Sequence, residues 1–147
     1  MPLHVLVVED NPADARLMHE AFHDVNPLIS LHVATDGIEA MAFLRREGAN
    51  ADANRPDLIL LDLNLPKMDG LEVLAVIKLD ADLKTIPTVV VTSSENEADV
   101  IKTYELHANS YVTKPMHFLA FVQLVKSIND FWLASAKGMP PRAASNS

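Results

Sequence analysis

Five short apolar runs alternate along the chain with segments of helical periodicity. The runs occupy positions 3–8, 29–34, 58–61, 88–91 and 110–112. Three of them are apolar at nearly every position rather than at every second one. This pattern is typical of strands that are covered by helices on both faces of a parallel sheet. The sequence therefore predicts five parallel strands.

Helical patterns fill the intervals between these runs and the end of the chain. Apolar residues repeat at helical spacing around 17–25, 38–44 and 71–77, and the clearest stripe runs from Phe118 to Trp132. The segment 95–107 has a thinner stripe, which predicts a loosely held helix that is able to move. Because strands and helices alternate, we predict an α/β fold, a doubly wound five-stranded parallel sheet of the (βα)5 type.

The chain has the length of one compact domain, 147 residues. We place that domain at residues 1–137 and predict a flexible tail at 138–147, where glycine, proline and serine are frequent. Segment 47–56 is interpreted as a long surface loop before the third strand. We find no internal repeat and no second domain.

Composition excludes several classes of function. The net charge of −8 argues against nucleic acid as a partner, because such proteins need a basic patch. The chain has no cysteine, so disulfides and thiolate metal sites are excluded. No apolar run approaches the length of a membrane-spanning helix, and the first residues do not resemble a secretion signal. We expect a cytoplasmic protein without a membrane partner.

Side chains with reactive chemistry follow four of the predicted strands. Glu9 and Asp10 follow the first strand, Asp62 the third, Thr92 ends the fourth, and Lys114 follows the fifth. The carboxyl ends of parallel strands meet at one rim of the sheet, so these groups should converge. Clustered carboxylates repel one another unless a cation neutralises them, and Mg²⁺ is suited to that role. Asp62 can then act as a carboxylate nucleophile toward phosphorus.

Each residue also has a plainer interpretation when it is taken alone. Glu9 and Asp10 can belong to a helix start, with Asn11 as the cap and Asp14 in the first turn. Asp62 can begin an ordinary turn, Thr92 can cap the next helix, and Lys114 can be a solvated surface lysine. Only their joint placement at four strand ends favours a shared site.

The chain resembles receiver domains of the CheY type, which occur in bacterial response regulators. Four motifs carry the resemblance, in the same order and at similar spacing: VVEDN at 7–11, LLDLNLPKMDG at 60–70, VTS at 91–93 and YVTKP at 111–115. The resemblance covers the chain from residue 3 to about residue 133, and it implies the strand order 2-1-3-4-5.

The resemblance also implies a role for each motif residue. Asp62 would be the phosphoacceptor, Lys114 would pair with the phosphoryl group, and Thr92 would bond to that group after transfer. Mg²⁺ would be held by Asp10, Asp62 and the Asn64 carbonyl directly, and by Glu9 through water. Tyr111 would be the aromatic residue that follows Thr92 inward. The bond before Pro115 is expected to be cis.

Partners follow from the same resemblance. The chain should accept its phosphoryl group from a sensor histidine kinase and pass the signal to a downstream protein. Segment 47–56, residues 116–118 and the helix end at Trp132 are similar to those of receivers paired with phytochrome-type light-sensing kinases of cyanobacteria. Homodimerisation through helix four, strand five and helix five is common in the family, and Phe131 and Trp132 are candidate interface residues.

Three other functions are alternatives to the receiver interpretation. An aspartyl-phosphate phosphatase would carry a second acid two residues after its nucleophile, where this chain has Asn64. A flavodoxin-like cofactor binder would place a Ser/Thr/Gly loop after strand one, where Glu9 and Asp10 would repel phosphate. A pseudo-receiver that binds partners without phosphorylation is disfavoured by the acid cluster and Lys114, yet it stays open at this point.

Overall fold

The chain forms a five-stranded sheet flanked by five α-helices. A computed structural model describes residues 3–93, 96–115 and 117–133. The elements in chain order are β1 (Leu3–Val8), α1 (Pro12–Val25), β2 (Ile29–Ala34), α2 (Gly37–Leu44), β3 (Leu58–Leu61), α3 (Gly70–Leu79), β4 (Thr88–Thr92), α4 (Glu97–Glu105), β5 (Ser110–Thr113) and α5 (Phe118–Ile128).

All neighbouring strands pair in parallel, in the order β2-β1-β3-β4-β5. This confirms the predicted fold class and strand order. The central strands β1, β3 and β4 are buried along almost their whole length, as their continuous apolar runs indicated. The edge strand β2 is only partly buried and alternates between more and less exposed positions.

Two apolar layers hold the sheet, one on each face. On one face α1 and α5 pack together over the sheet, with Phe22 and Phe121 at the centre of the layer. On the other face α2 and α3 cover the sheet, with Leu74 and Ile77 fully buried. Burial of each such side chain stabilises the fold by about 1.5–3 kcal/mol before the entropic cost of ordering it.

Polar side chains fix where the helices begin. The carboxamide oxygen of Asn11 accepts hydrogen bonds from the backbone N–H groups of Ala13 and Asp14, and Pro12 is the first helical residue of α1. This confirms Asn11 as a helix cap. Carboxylates of Asp36 and Asp69 cap α2 and α3 in the same way.

Helix α4 is held by few apolar contacts. Among its residues only Thr103 is buried, while Ile101 and Tyr104 are about half exposed, at 53% and 50%. The helix is shorter than the predicted segment 95–107, and position 95 lies outside the described residues. The thin apolar stripe in the sequence therefore corresponds to a weakly packed helix.

The loop before β3 and the end of the last helix contain short irregular turns. Segment 47–56 is a loop as predicted, but it contains a 3₁₀ turn at Gly48–Asn50. The last predicted helix changes after α5 into a π-helical turn at Asn129–Leu133. The predicted tail 138–147 and the domain boundary at residue 137 lie outside the described residues.

The Lys114–Pro115 bond is trans, so the expectation of a cis bond was wrong. Trans is the lower-energy isomer of an X–Pro bond, and the lysine reaches the site without the rarer form. In the part of the chain that the structure describes, no helix has the length and apolar character needed to cross a membrane.

Candidate functional site

Backbone pairing brings the predicted site residues to one rim of the sheet. The ladder continues past the strand ends, where the N–H of Asp62 donates to the Val8 carbonyl at 3.1 Å and the N–H of Lys114 donates to the Thr92 carbonyl at 2.8 Å. Residues from four strands are thereby fixed in register with one another. The predicted convergence of Glu9, Asp10, Asp62, Thr92 and Lys114 is what the structure shows.

The Lys114 ammonium lies among three carboxylates. Its Nζ donates hydrogen bonds of 2.8 Å to Oδ2 of Asp62 and 2.8 Å to Oδ2 of Asp14. Oε1 of Glu9 is 2.6 Å from the same nitrogen and forms an ion pair with it. The angles of this contact are not those of a hydrogen bond, and this oxygen accepts no other hydrogen bond. The lysine side chain is only 10% exposed, so these charges interact with little screening by water.

Asp62 is buried, and both of its carboxylate oxygens have partners. Oδ1 accepts a hydrogen bond of 2.8 Å from the Thr92 hydroxyl and one of 3.1 Å from the backbone N–H of Asn64. Oδ2 is bound to Lys114. Since Thr92 is fully buried, its hydroxyl is held against the carboxylate rather than against solvent.

These contacts set the protonation of the site. Burial opposes ionisation of Asp62, but hydrogen bonds from Lys114, Asn64 and Thr92 lower its pKa below the usual value. Asp62 is thus ionised at neutral pH, as a nucleophile must be. Burial raises the pKa of Glu9 to about 7; the nearby Lys114 ammonium opposes this shift, and the negative charge of Asp62 adds to it. Burial alone would lower the pKa of Lys114, but hydrogen bonds to Asp14 and Asp62 and the contact with Glu9 raise it.

The acid cluster has the composition of a site for a hard divalent cation. Carboxylate oxygens of Glu9, Asp10 and Asp62 lie within 4.8 Å of one another, and Asp10 is exposed where an ion can enter. Burial raises the pKa of Glu9 even though the Lys114 ammonium is 2.6 Å away, so the ammonium does not fully offset the buried negative charge and a bound cation would offset more of it. Oxygen ligands of this kind suit Mg²⁺, Mn²⁺ or Ca²⁺.

A close backbone contact holds the loop after Asp62. Gly70, the first residue of α3, packs so tightly that a Cβ added there would lie 2.3 Å from the Asp62 carbonyl oxygen. The N–H of Gly70 also donates to the Leu63 carbonyl at 3.0 Å. The α3 start therefore determines the position of the backbone that carries Asp62 and Asn64.

Asp14 is a site residue that the sequence indicates only as a first-turn acid of α1. In the structure its carboxylate also binds Lys114, a residue 100 positions away. Its position three residues after the Asn11 cap places it in the first turn of α1, the helix that begins beside Glu9 and Asp10. That spacing is the only sequence signal that could have found it.

The remaining predicted residues lie away from the acid cluster. Tyr111 of β5 is half-buried and packs against the layer formed by α2 and α3. Phe131 is 40% exposed, whereas Trp132 packs against the layer of α1 and α5; the two rings meet edge to face with centroids 4.8 Å apart. Phe131 is thus the more accessible of the two interface candidates.

Comparison with known proteins identifies the family. The response regulator receiver domain family matches residues 5–126. The chain is 50% identical over 132 residues to response regulator Rcp1 of Synechocystis sp., covering 90% of both proteins.

Two solved structures share the fold closely. The phosphorylated cyanobacterial phytochrome response regulator RcpA superposes with a TM-score of 0.87 at 50% identity, over 92% of this chain and 96% of that one. The Mn²⁺-bound form of Rcp1 gives a TM-score of 0.83 at 50% identity, over 90% and 95%. With a family match over most of its length and relatives at this identity, the chain belongs to the response regulator receiver domain family.

Proposed function

We propose that this chain is a single-domain response regulator that accepts a phosphoryl group on Asp62 from a sensor histidine kinase, with Mg²⁺ as its cation. The observation that carries the proposal is the environment of the Asp62 carboxylate: an ammonium at 2.8 Å, a hydroxyl at 2.8 Å and two further acids for a cation. These are the groups that phosphoryl transfer to a carboxylate requires.

The reaction follows from the roles of these side chains. An oxygen of Asp62 attacks phosphorus while the bond from phosphorus to the donor's nitrogen or oxygen breaks, and the leaving group takes the electron pair of that bond. Lys114 and Thr92, which both contact the Asp62 carboxylate, would stabilise the oxygens of the transferring group. A cation held by Glu9, Asp10, Asp62 and the Asn64 carbonyl would neutralise negative charge in the same place.

Mass spectrometry after incubation with acetyl phosphate and Mg²⁺ tests this proposal. We expect one added phosphoryl group on the wild-type protein and none on Asp62→Asn or in the presence of EDTA. Asp69→Asn is a matched control because Asp69 lies in the same loop but caps α3. An unmodified wild-type protein, or an adduct that persists in Asp62→Asn, would contradict the assignment of Asp62.

The kinase is proposed from the relatives. RcpA is described as a cyanobacterial phytochrome response regulator, and we extend a phytochrome-type kinase partner to this chain. Transfer of radiolabelled phosphate from such a purified, autophosphorylated kinase, compared with transfer from an unrelated histidine kinase, tests the pairing. Equal transfer from both kinases would argue against it.

The signal is proposed to leave through α4, β5 and α5. Apolar side chains are exposed on both helices of this surface, including Ile101, Tyr104 and Leu119. The Thr92 hydroxyl would turn from Asp62 toward the phosphoryl oxygens, Tyr111 would move inward, and this surface would change its affinity for a downstream protein or a second copy. Sedimentation with and without beryllium fluoride tests homodimerisation, and Phe131→Ser tests the contribution of the C-terminal aromatic residues. A monomer under all conditions would remove the dimer from the proposal.

A further inference from the structure

Asp14 is the most accessible of the three carboxylates around Lys114. Its side chain is 28% exposed, compared with 1% for Glu9 and 4% for Asp62. It lies in the first turn of α1, outside the strands that carry the other site residues. Asp14 is neither the proposed phosphoacceptor nor one of the three carboxylates of the acid cluster.

Lys114 is also held by groups other than Asp14. The two buried carboxylates already contact the ammonium at 2.6 and 2.8 Å, and its backbone N–H is bound to Thr92. The Asp14 carboxylate accepts a hydrogen bond from one of the three N–H groups of the ammonium, and an incoming phosphoryl group would need such an N–H group. It also adds a negative charge next to the path of a negatively charged donor.

We propose that Asp14 is a positioning residue that restrains phosphorylation: it holds Lys114 in the unphosphorylated protein and must release it when the phosphoryl group arrives. The inference rests on phosphorylation of Asp62 as proposed above. Asp14 takes no proton and forms no bond to phosphorus; only its hydrogen bond to Lys114 is exchanged for one from Lys114 to the phosphoryl oxygen. Since Asp14 is partly exposed, water can solvate the carboxylate after release.

Removing the charge should therefore accelerate the reaction. For one unit charge about 6 Å from the incoming anion, Coulomb's law predicts a gain of about threefold in kcat/KM at the dielectric constant of bulk water, and a larger gain where the rim is less hydrated. The gain should appear chiefly in KM for the anionic donor, because both the repulsion and the competition act on its binding. It should shrink in high salt, which screens exposed charges.

The experiment compares four full-length proteins with acetyl phosphate and Mg²⁺ at low and high ionic strength. Asp14→Asn removes the charge and keeps the size, and Asp14→Glu keeps the charge. Asp24→Asn makes the same change of net charge at an exposed position near the other end of α1. We expect faster phosphorylation of Asp14→Asn only, with Asp14→Glu and Asp24→Asn within twofold of wild type.

The outcomes separate the inference from the proposed function. If wild type is phosphorylated and Asp14→Asn reacts at the same rate or more slowly, the restraining role is wrong. If wild type is not phosphorylated at all, the proposed function fails instead. Circular dichroism of each variant detects a loss of structure, and Asp14→Ala supplies a second neutral variant, for which the same increase is expected.

Discussion

The Lys114 ammonium neutralises buried carboxylates in the folded protein, and Lys114→Met tests how much the fold depends on that charge. Methionine has a similar length and can occupy the same space, but it carries no charge. Without the Lys114 ammonium, the carboxylates of Glu9, Asp62 and Asp14 would face one another with no positive charge between them. The change therefore removes one partner of a buried ion-pair cluster and leaves the others in place.

The expected cost can be estimated from burial. Removing one partner of a buried ion pair costs about 3–5 kcal/mol, and this range applies to Glu9 and Asp62, which are almost inaccessible. The contact with Asp14 adds only about 0–1 kcal/mol, because that carboxylate is partly solvated. We expect the metal-free variant to lose about 3–5 kcal/mol of unfolding free energy at pH 8, a large part of the stability of a small domain.

The loss should be smaller at low pH and in the presence of Mg²⁺. Without Lys114 the folded-state pKa values of Glu9 and Asp62 rise, so the folded protein takes up protons as the pH falls from 8 to 5 and the variant regains stability. A bound divalent cation replaces the missing charge and stabilises the folded state by mass action.

Urea unfolding followed by circular dichroism measures these differences. The assay compares wild type, Lys114→Met and the exposed control Lys126→Met, in EDTA and in Mg²⁺ at two pH values. The control should change stability by less than about 0.5 kcal/mol. A loss below about 1 kcal/mol for Lys114→Met in EDTA at pH 8 would refute the view that this ammonium neutralises the cluster.

Three other changes give distinct results. Thr92→Ala should lower metal-free stability by about 1.5–3 kcal/mol in urea unfolding, because Asp62 loses a buried hydrogen bond, and it should weaken the effect of phosphorylation on partner affinity while phosphorylation itself persists. Gly70→Ala should cost about 1–3 kcal/mol and slow labelling by acetyl phosphate, because its methyl group would displace the Asp62 backbone; unchanged unfolding and labelling would contradict this. For Glu9, whose folded-state pKa of about 7 lies above its usual 4.5, the metal-free protein should lose about 2–3 kcal/mol of unfolding free energy as the pH rises from 4.5 to 7. Glu9→Gln should lack that decline in urea titrations across this range, and an identical decline in both proteins would rule out Glu9 as its source.

The sheet and most of its site were predictable because both depend on local patterns. Continuous apolar runs define buried parallel strands, and parallel strands bring their carboxyl ends to one rim whatever the details of packing. The meeting of Glu9, Asp62 and Lys114 follows from that geometry alone. The weak packing of α4 was likewise visible in its thin apolar stripe.

Features that depend on the direction of single side chains were not predictable. The contact of Asp14 with Lys114 requires two side chains 100 positions apart in the chain to meet, and no periodic pattern in the sequence encodes such a contact. The trans bond before Pro115 and the π-helical turn at Asn129–Leu133 are also set by tertiary packing. For the isomer of an X–Pro bond and for the type of a helical turn, the local sequence favours one alternative over the other only slightly.

The loop 47–56 precedes β3, so it lies at the opposite end of the strands from Asp62. It is anchored there by Arg55, which binds the Asp82 carboxylate and its carbonyl oxygen, and by Ala53, which packs against the apolar layer of α2 and α3. Residues 49–52 between these anchors and the end of α2 form no part of the acid cluster around Asp62. A fluorescent label or an affinity tag inserted at this turn would therefore lie far from both the acid cluster and the proposed α4-β5-α5 surface.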